Sequence, residues 1–219
     1  MNKGKDQMAD HYYTATPQSE HSAATYQVAY RGHALTFTTD AGVFSRFQLD
    51  KGTQTLLDAL PDDLHGAVLD MGCGTGALGV TLSKANPGVT LTMADINERA
   101  VSLAKDNASR NGVVADTLQS DGFGALLGRV FDLIVTNPPI RAGKAIIYRM
   151  FADGARALAP GGALVLVIRK QQGAPSAKAY LQTLFAKVGV IARESGYWII
   201  RCEEPIPGAG QGVQCEESE

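Results

Sequence analysis

From Ala67 onward, short apolar runs alternate with longer stretches in which apolar residues recur every three or four positions. Val68 to Met71, Val89 to Ala94, Thr117 to Gln119, Phe131 to Thr136 and Ala163 to Ile168 read as strands. Ala77 to Ala85, Glu98 to Asn111, Lys144 to Leu158 and Ser176 to Val188 read as helices. The second of these carries apolar positions at Ala100, Val101, Leu103, Ala104 and Ala108 and is stopped by Asn111-Gly112. Val190 to Ala192 and Tyr197 to Arg201 close the series. Continuous apolar strands alternating with helices predict a parallel sheet covered on both faces, a doubly wound α/β domain.

The first 60 residues follow another pattern. Tyr26 to Thr39 alternates around Arg31-Gly32 and predicts a β-hairpin, and Asp50 to Leu60 predicts a helix leading into the first core strand. Residues 1–25 are polar, and 205–219, rich in Gly, Pro and acid, reads as a disordered tail. The expected organisation is an N-terminal extension, hairpin and helix over 1–60, a core domain over 61–204, and the tail.

Composition sharpens this little. With 219 residues and 45% hydrophobic content, the chain is long enough for one substantial core. Its longest apolar runs fall short of the roughly 18 residues that span a bilayer, and the N-terminus lacks the apolar stretch of a secretory signal. Three cysteines show no paired spacing, so neither a disulfide framework nor a metal site is expected. A cytoplasmic protein follows. The net charge of -2 argues against a non-specific nucleic-acid binder but allows an enzyme that meets RNA through a local patch.

Gly74-Thr75-Gly76-Ala77-Leu78-Gly79 follows a strand and opens a helix, and Asp95 stands 21 residues after Gly74. That arrangement suits a dinucleotide, with Asp95 on the ribose, as well as S-adenosylmethionine (SAM). Asp70, just before the turn, favours SAM: a carboxylate suits its ammonium and sulfonium and would repel a pyrophosphate at the helix N-terminus. The cofactor contacts expected are Asp70, Gly72, Cys73, Gly74, Gly76, Asp95 with Ile96 and Asn97, and Asp121 with Ser120 and Gly122. At a strand's carboxyl end, Asp121 can accept from the adenine amino group or simply serve the Ser120-Asp121-Gly122 turn. Cys73 reads as a small apolar filler.

Asn137-Pro138-Pro139-Ile140 begins where the strand 131–136 ends. Its prolines fix the backbone and carry no N–H, so the loop offers carbonyl acceptors and one side-chain amide. An exocyclic amine with a delocalised lone pair is a poor nucleophile. Accepting both its hydrogens, from the Asn137 side chain and the Pro138 carbonyl, would localise that lone pair toward a sulfonium methyl. Hydride transfer needs no such loop. Asn137, Pro138 and Pro139 are therefore the expected catalytic residues, Asn137 also touching the cofactor.

At these residues the chain resembles the class I SAM-dependent methyltransferases, and more narrowly the RsmC-like small-subunit ribosomal RNA guanine methyltransferases. The narrower resemblance rests on His11-Tyr12-Tyr13, Leu35 to Thr38, Gly42-Val43-Phe44-Ser45-Arg46, Leu49-Asp50-Lys51-Gly52-Thr53, Val68 to Gly79, Asn137 to Lys144 and Lys170 to Ala177. It implies a Rossmann-like seven-stranded sheet whose last strand, Tyr197 to Glu203, is antiparallel, with SAM in the Gly72 to Gly76 turn. It further implies guanine N2 in 16S rRNA as the target, within rRNA or the small ribosomal subunit as partner, and Phe44 to Thr53 folded over the site. Two departures stand out. Ile140 replaces the aromatic ring that often follows the prolines, which leaves base stacking to another ring such as Phe44. Better-known relatives also carry a second domain, for which this chain is too short. Arg141, Lys144, Arg169 and Lys170 are the candidate RNA contacts, alongside Phe44 and Ile140 at the substrate, while Arg149 reads as ordinary solvated helix surface. A protein glutamine amide, a small molecule, or a SAM-binding role in ribosome assembly are the alternatives.

Overall fold

The computed structural model describes residues 22–40 and 48–210; His11 to Tyr13, the Gly42 to Arg46 segment with Phe44, and residues 211–219 lie outside them. Strands β1 (Ala24–Tyr30) and β2 (His33–Thr39) form an antiparallel hairpin in which Tyr30 faces His33. Arg31 and Gly32 turn it with positive φ of 44° and 79°. Helix α1 (Lys51–Asp58) follows, capped at its N-terminus by Asp50. Next come β3 (His65–Met71), α2 (Ala77–Ala85), β4 (Gly88–Asp95), α3 (Glu98–Arg110) and β5 (Ala115–Gln119). The chain continues through β6 (Phe131–Thr136), α4 (Lys144–Arg156), β7 (Leu158–Arg169), α5 (Ala174–Leu181), β8 (Phe185–Glu194) and β9 (Tyr197–Pro205).

Among the described residues seven strands form one sheet in the order β5-β4-β3-β6-β7-β9-β8. β3 to β7 are parallel, and β9 slots antiparallel between β7 and β8. The doubly wound α/β reading and its antiparallel last strand are borne out. The strand order reverses between β3 and β6, and at such a switch point the strand ends diverge and leave a crevice. Two apolar clusters cover the sheet. One joins the hairpin, α1 and α2 to it through Phe37, Leu56, Leu57, Val80 and Val165. The other joins α4 and α5 to it through Phe151, Leu164, Leu166 and Leu181.

Two elements differ from the sequence reading. The helix predicted over Ser176 to Val188 ends at Leu181, and Phe185–Glu194 is the edge strand. Leu181, Leu184, Phe185 and Val188 fit a helical spacing, while Val188, Val190 and Ala192 alternate as in a strand, and antiparallel pairing with β9 decides in favour of the strand. Pro160-Gly161-Gly162, which falls between the predicted helix ending at Leu158 and the predicted strand starting at Ala163, lies within β7 at a register shift between the Phe131–Leu158 and Leu133–Ala163 pairs. β9 runs to Pro205, and a turn over 206–210 packs Ala209 against the α4 and α5 cluster.

The hairpin is docked by side chains rather than by the main sheet. Asn107 on α3 and Asn111 at its C-cap, one turn apart, present their amides to the free edge of β2. Their Oδ1 atoms accept from the Thr38 and Thr36 N–H groups at 2.8 and 2.9 Å. Their Nδ2 atoms donate to the Thr38 and Thr36 carbonyls at 2.8 and 2.9 Å. Each amide thus imitates a strand partner and satisfies an otherwise open edge. A second Nδ2 hydrogen of Asn107 reaches the Thr75 carbonyl at 2.9 Å, tying the hairpin to the glycine turn.

Candidate active site

A cavity of about 810 Å³ opens over the carboxyl ends of β3, β4, β5 and β6, a size suited to a cofactor and a small acceptor group. The turn after β3 forms its floor. Gly72 and Cys73 donate their N–H groups to the Ala94 carbonyl at 2.8 and 3.1 Å, which pins the turn to β4. Gly76 starts α2 with φ of 78°. A Cβ there would lie 3.1 Å from both the Ala104 Cβ and the Met93 Sδ, so a side chain would push α2 and α3 apart.

Two buried carboxylates shape the floor. Asp70 is 1% exposed, and its Oδ2 accepts from the Gly79 N–H at 2.8 Å, joining strand end to helix. Burial pushes its carboxyl up to about 7; the Gly79 N–H opposes this, and the Asp95 charge adds to it. Asp95 accepts from the Gly74 N–H at 2.8 Å and the Asn97 N–H at 2.9 Å. Burial nevertheless raises its pKa. Two desolvated carboxylates in one cavity make it receptive to a cation, which SAM is and a pyrophosphate is not. Burial and both carboxylates raise the Cys73 thiol well above its usual range, so it stays protonated at neutral pH.

Asp121 lines the cavity where β5 ends. Ser120 shapes that turn, its Oγ donating to the Gly122 carbonyl at 2.7 Å and accepting from the Ala125 N–H at 3.0 Å. Ile96 lines the cavity as well. Gly76 and Asn97 do not line it; Asn97 is fully buried and caps α3 through the Ala100 N–H at 3.1 Å.

The Asn137–Ile140 loop forms the facing wall. Pro139 stands above the glycine turn: a Cβ on Gly72 would lie 4.0 Å from the Pro139 Cδ. The Asn137 Nδ2 donates to the Asp50 Oδ2 at 2.9 Å and to the Thr53 Oγ1 at 3.1 Å. A carboxylate only accepts, so this contact fixes which end of the amide is nitrogen. Oδ1, with no hydrogen bond among the described residues, is left as the free acceptor on a cavity wall.

Asp50 and Thr53 lie in the Phe44 to Thr53 segment expected over the site, but neither was singled out as a site residue. Asp50 caps α1 by accepting from the Thr53 N–H at 3.1 Å, and the same Oδ2 holds Asn137. The signal available was Asp-x-x-Thr at a helix start, which announces a cap and not a second duty 87 residues away. Gly52, between them, admits the Tyr197 ring: a Cβ there would be 2.9 Å from both the Asp50 Oδ2 and the Tyr197 Cε1.

Ile140, Arg141, Arg149, Arg169, Gln172 and Tyr197 also line the cavity. The Arg149 Nε lies 3.8 Å from the Asp153 carboxylate. Lys144 and Lys170 are exposed but do not line the cavity.

The fold and the acid-lined cavity suit an α/β methyltransferase that uses SAM, and the comparisons with known proteins support both. The chain belongs to the methyltransferase small domain family, whose model matches residues 34–201. It is 40% identical over 200 residues to the uncharacterized protein YbxB of Bacillus subtilis, covering 90% of this chain and all of that one. It is 38% identical over 180 residues to the ribosomal RNA large subunit methyltransferase G of Alcanivorax borkumensis, covering 78% of this chain and 45% of that one. Among solved structures it is similar to the 16S rRNA N2 G1207 methyltransferase RsmC of T. thermophilus in complex with AdoMet and guanosine. That match has a TM-score of 0.76 at 26% identity and covers 86% of this chain and 52% of that one. The chain therefore spans the whole of YbxB but about half of the named rRNA enzymes.

Proposed function

We propose that the protein methylates an exocyclic amine, the N2 of a guanine in small-subunit ribosomal RNA. The observation that carries this reading is the Asn137 amide, held by its nitrogen so that its oxygen remains free beside a cofactor-sized cavity. The likeness to a guanosine-bound N2 methyltransferase supports the choice of base. Bound SAM supplies an electrophilic methyl on a sulfonium.

The chain supplies placement. Asn137 Oδ1 and the Pro138 carbonyl accept the two N–H bonds of the target amine, which turns its lone pair out of conjugation and toward the methyl. Asp50 and Thr53 hold the amide in that orientation, and a carboxylate hydrogen-bonded to the amide N–H makes Oδ1 a stronger acceptor. Asp50 also sets a negative charge beside an amine that becomes cationic as the N–C bond forms. The amine then loses one proton to water. On the cofactor side, Asp70 faces the cation, Asp95 the ribose hydroxyls and Asp121 the adenine amino group, with the glycine turn close beneath. Arg141 and Arg149 at the rim meet RNA phosphates, which position the substrate without reading its sequence.

Radiolabelled methyl transfer from SAM to unmodified small subunits, followed by nucleoside analysis, tests this. N2-methylguanosine is the expected product. A labelled protein or small molecule, with none in RNA, moves the acceptor to a glutamine amide or a metabolite amine.

A further inference from the structure

Ile140 offers no ring to an unstacked base, yet a base presenting one amine for chemistry needs a flat surface and a contact on its far edge. The opposite wall carries both. Arg169 ends β7, Tyr197 begins β9, and the two face each other in the antiparallel register. The Arg169 guanidinium lies over the Tyr197 ring, 5.0 Å from its centroid. Both residues line the cavity that holds Asn137. The Tyr197 ring abuts Gly52, and so stands beside the two residues that orient Asn137. Arg169 forms no ion pair among the described residues, and a guanidinium resting on an aromatic face keeps its N–H donors available at its rim.

We infer that Arg169 and Tyr197 form the seat of the acceptor base, with the Arg169 guanidinium donating to O6 and N7 of a guanine whose N2 is held at Asn137. The inference rests on the guanine reading above and adds the source of its base selectivity. Guanine presents two acceptors, O6 and N7, on one edge, a pair that an arginine fork matches and that adenine does not offer. Arg193 supplies an internal control. It sits 4.9 Å over the Trp198 ring, in the same kind of pair, but outside the cavity.

The test uses small-subunit rRNA transcribed with GTP or with 7-deazaguanosine triphosphate, both protein-free and reconstituted into subunits. The 7-deaza base keeps N2 and lacks the N7 acceptor. Wild-type protein is expected to prefer the guanosine transcript about tenfold. Arg169→Lys keeps the charge and loses the fork; it is expected to slow transfer to the guanosine transcript about tenfold and to leave the 7-deaza transcript nearly unchanged, so that the preference collapses. Arg193→Lys keeps the preference, and SAM binding by all variants reports that they are folded. Equal losses on both transcripts, with a shallower salt dependence, make Arg169 a phosphate contact and overturn the inference. An unchanged Arg169→Lys preference overturns it too. Wild-type protein that binds SAM but methylates neither transcript removes the guanine reading itself.

Discussion

Asn107 and Asn137 are held by similar bonds to opposite ends. Asn107 is fully buried and its amide is used up: Oδ1 accepts from Thr38, while Nδ2 donates to Thr38 and Thr75. Asn137 is half-buried and half-used: Nδ2 donates twice, to Asp50 and Thr53, and Oδ1 takes no bond among the described residues. A closed amide is a rivet between elements. An amide whose nitrogen is clamped and whose oxygen is left open presents that oxygen as an oriented acceptor. Satisfaction at one end and an open acceptor at the other separates the asparagine proposed to work from the structural one, although both have amide partners far away in sequence.

The comparison breaks most sharply at Asn137→Ala. Transfer is expected to fall about 100- to 1000-fold in kcat, the usual cost of removing one preorganised hydrogen-bonding group aimed at the reacting centre, while SAM affinity persists. Retained turnover would make Asn137 a second rivet. Asp50→Ala is expected to cost less, about ten- to a hundredfold in kcat with little change in the KM for SAM, because the amide remains but is free to rotate. Asp50→Asn keeps an acceptor oxygen for Asn137 and should recover part of that loss; the part not recovered measures the charge. Wild-type kcat in Asp50→Ala would show that Asn137 orients itself.

Asn107→Ala tests the other side. It leaves the Thr38 N–H and the Thr38 and Thr75 carbonyls without their partner, at a cost of about 2 kcal/mol in stability. For a chain of this size that corresponds to a Tm lower by about 4–8 °C, readable by thermal denaturation. Turnover measured well below the melting range should stay within about twofold. A kcat collapse without a stability loss would mean that the hairpin, through the Thr75 carbonyl, sets the glycine turn for chemistry.

What could be read in advance follows the same division. The α/β core was legible because its strands and helices carry their own periods, and the glycine turn and the Asn-Pro-Pro loop because backbone chemistry demands those residues at those places. Of β8 only Val190 to Ala192 was legible, since Leu181, Leu184, Phe185 and Val188 keep a helical spacing and only pairing with β9 assigns Phe185 onward to the strand. Neither was the second use of Asp50, because a helix cap and a clamp on a distant amide leave the same letters. The docking of β2 by Asn107 and Asn111 was hidden too: their spacing marks one helix face, and nothing in it says that a strand edge lies opposite. Tyr197 reads as a strand residue until Gly52 is seen to make room for its ring. Local rules show what a residue is suited to; the partner it serves is fixed by the fold.

The smallest expected effect concerns protons at the cavity floor. Asp70 is held at about 7 by burial, against an ordinary value of 3.8. A folded-state pKa above the unfolded one means that the folded protein binds the extra proton between those values, so Asp70's contribution to stability is full below about 4 and declines as pH rises through about 7. The groups facing it are the Gly79 N–H and Asp95. Asp95 is also raised by burial, and its effect therefore has the same sign. A cationic ligand reverses the preference by favouring the ionised carboxyls. SAM binding should accordingly release protons, and its Kd should fall as pH rises from 5.5 toward 7, by at most about tenfold per unit for each proton released. Calorimetric titrations in buffers of different ionisation enthalpy read that release directly. Asp70→Asn keeps the shape and should flatten the part of the pH dependence that Asp70 contributes. A Kd independent of pH in the wild-type protein would mean that the carboxyls stay protonated beneath the bound cation, serving like Asn107 as rivets between strand end, turn and helix.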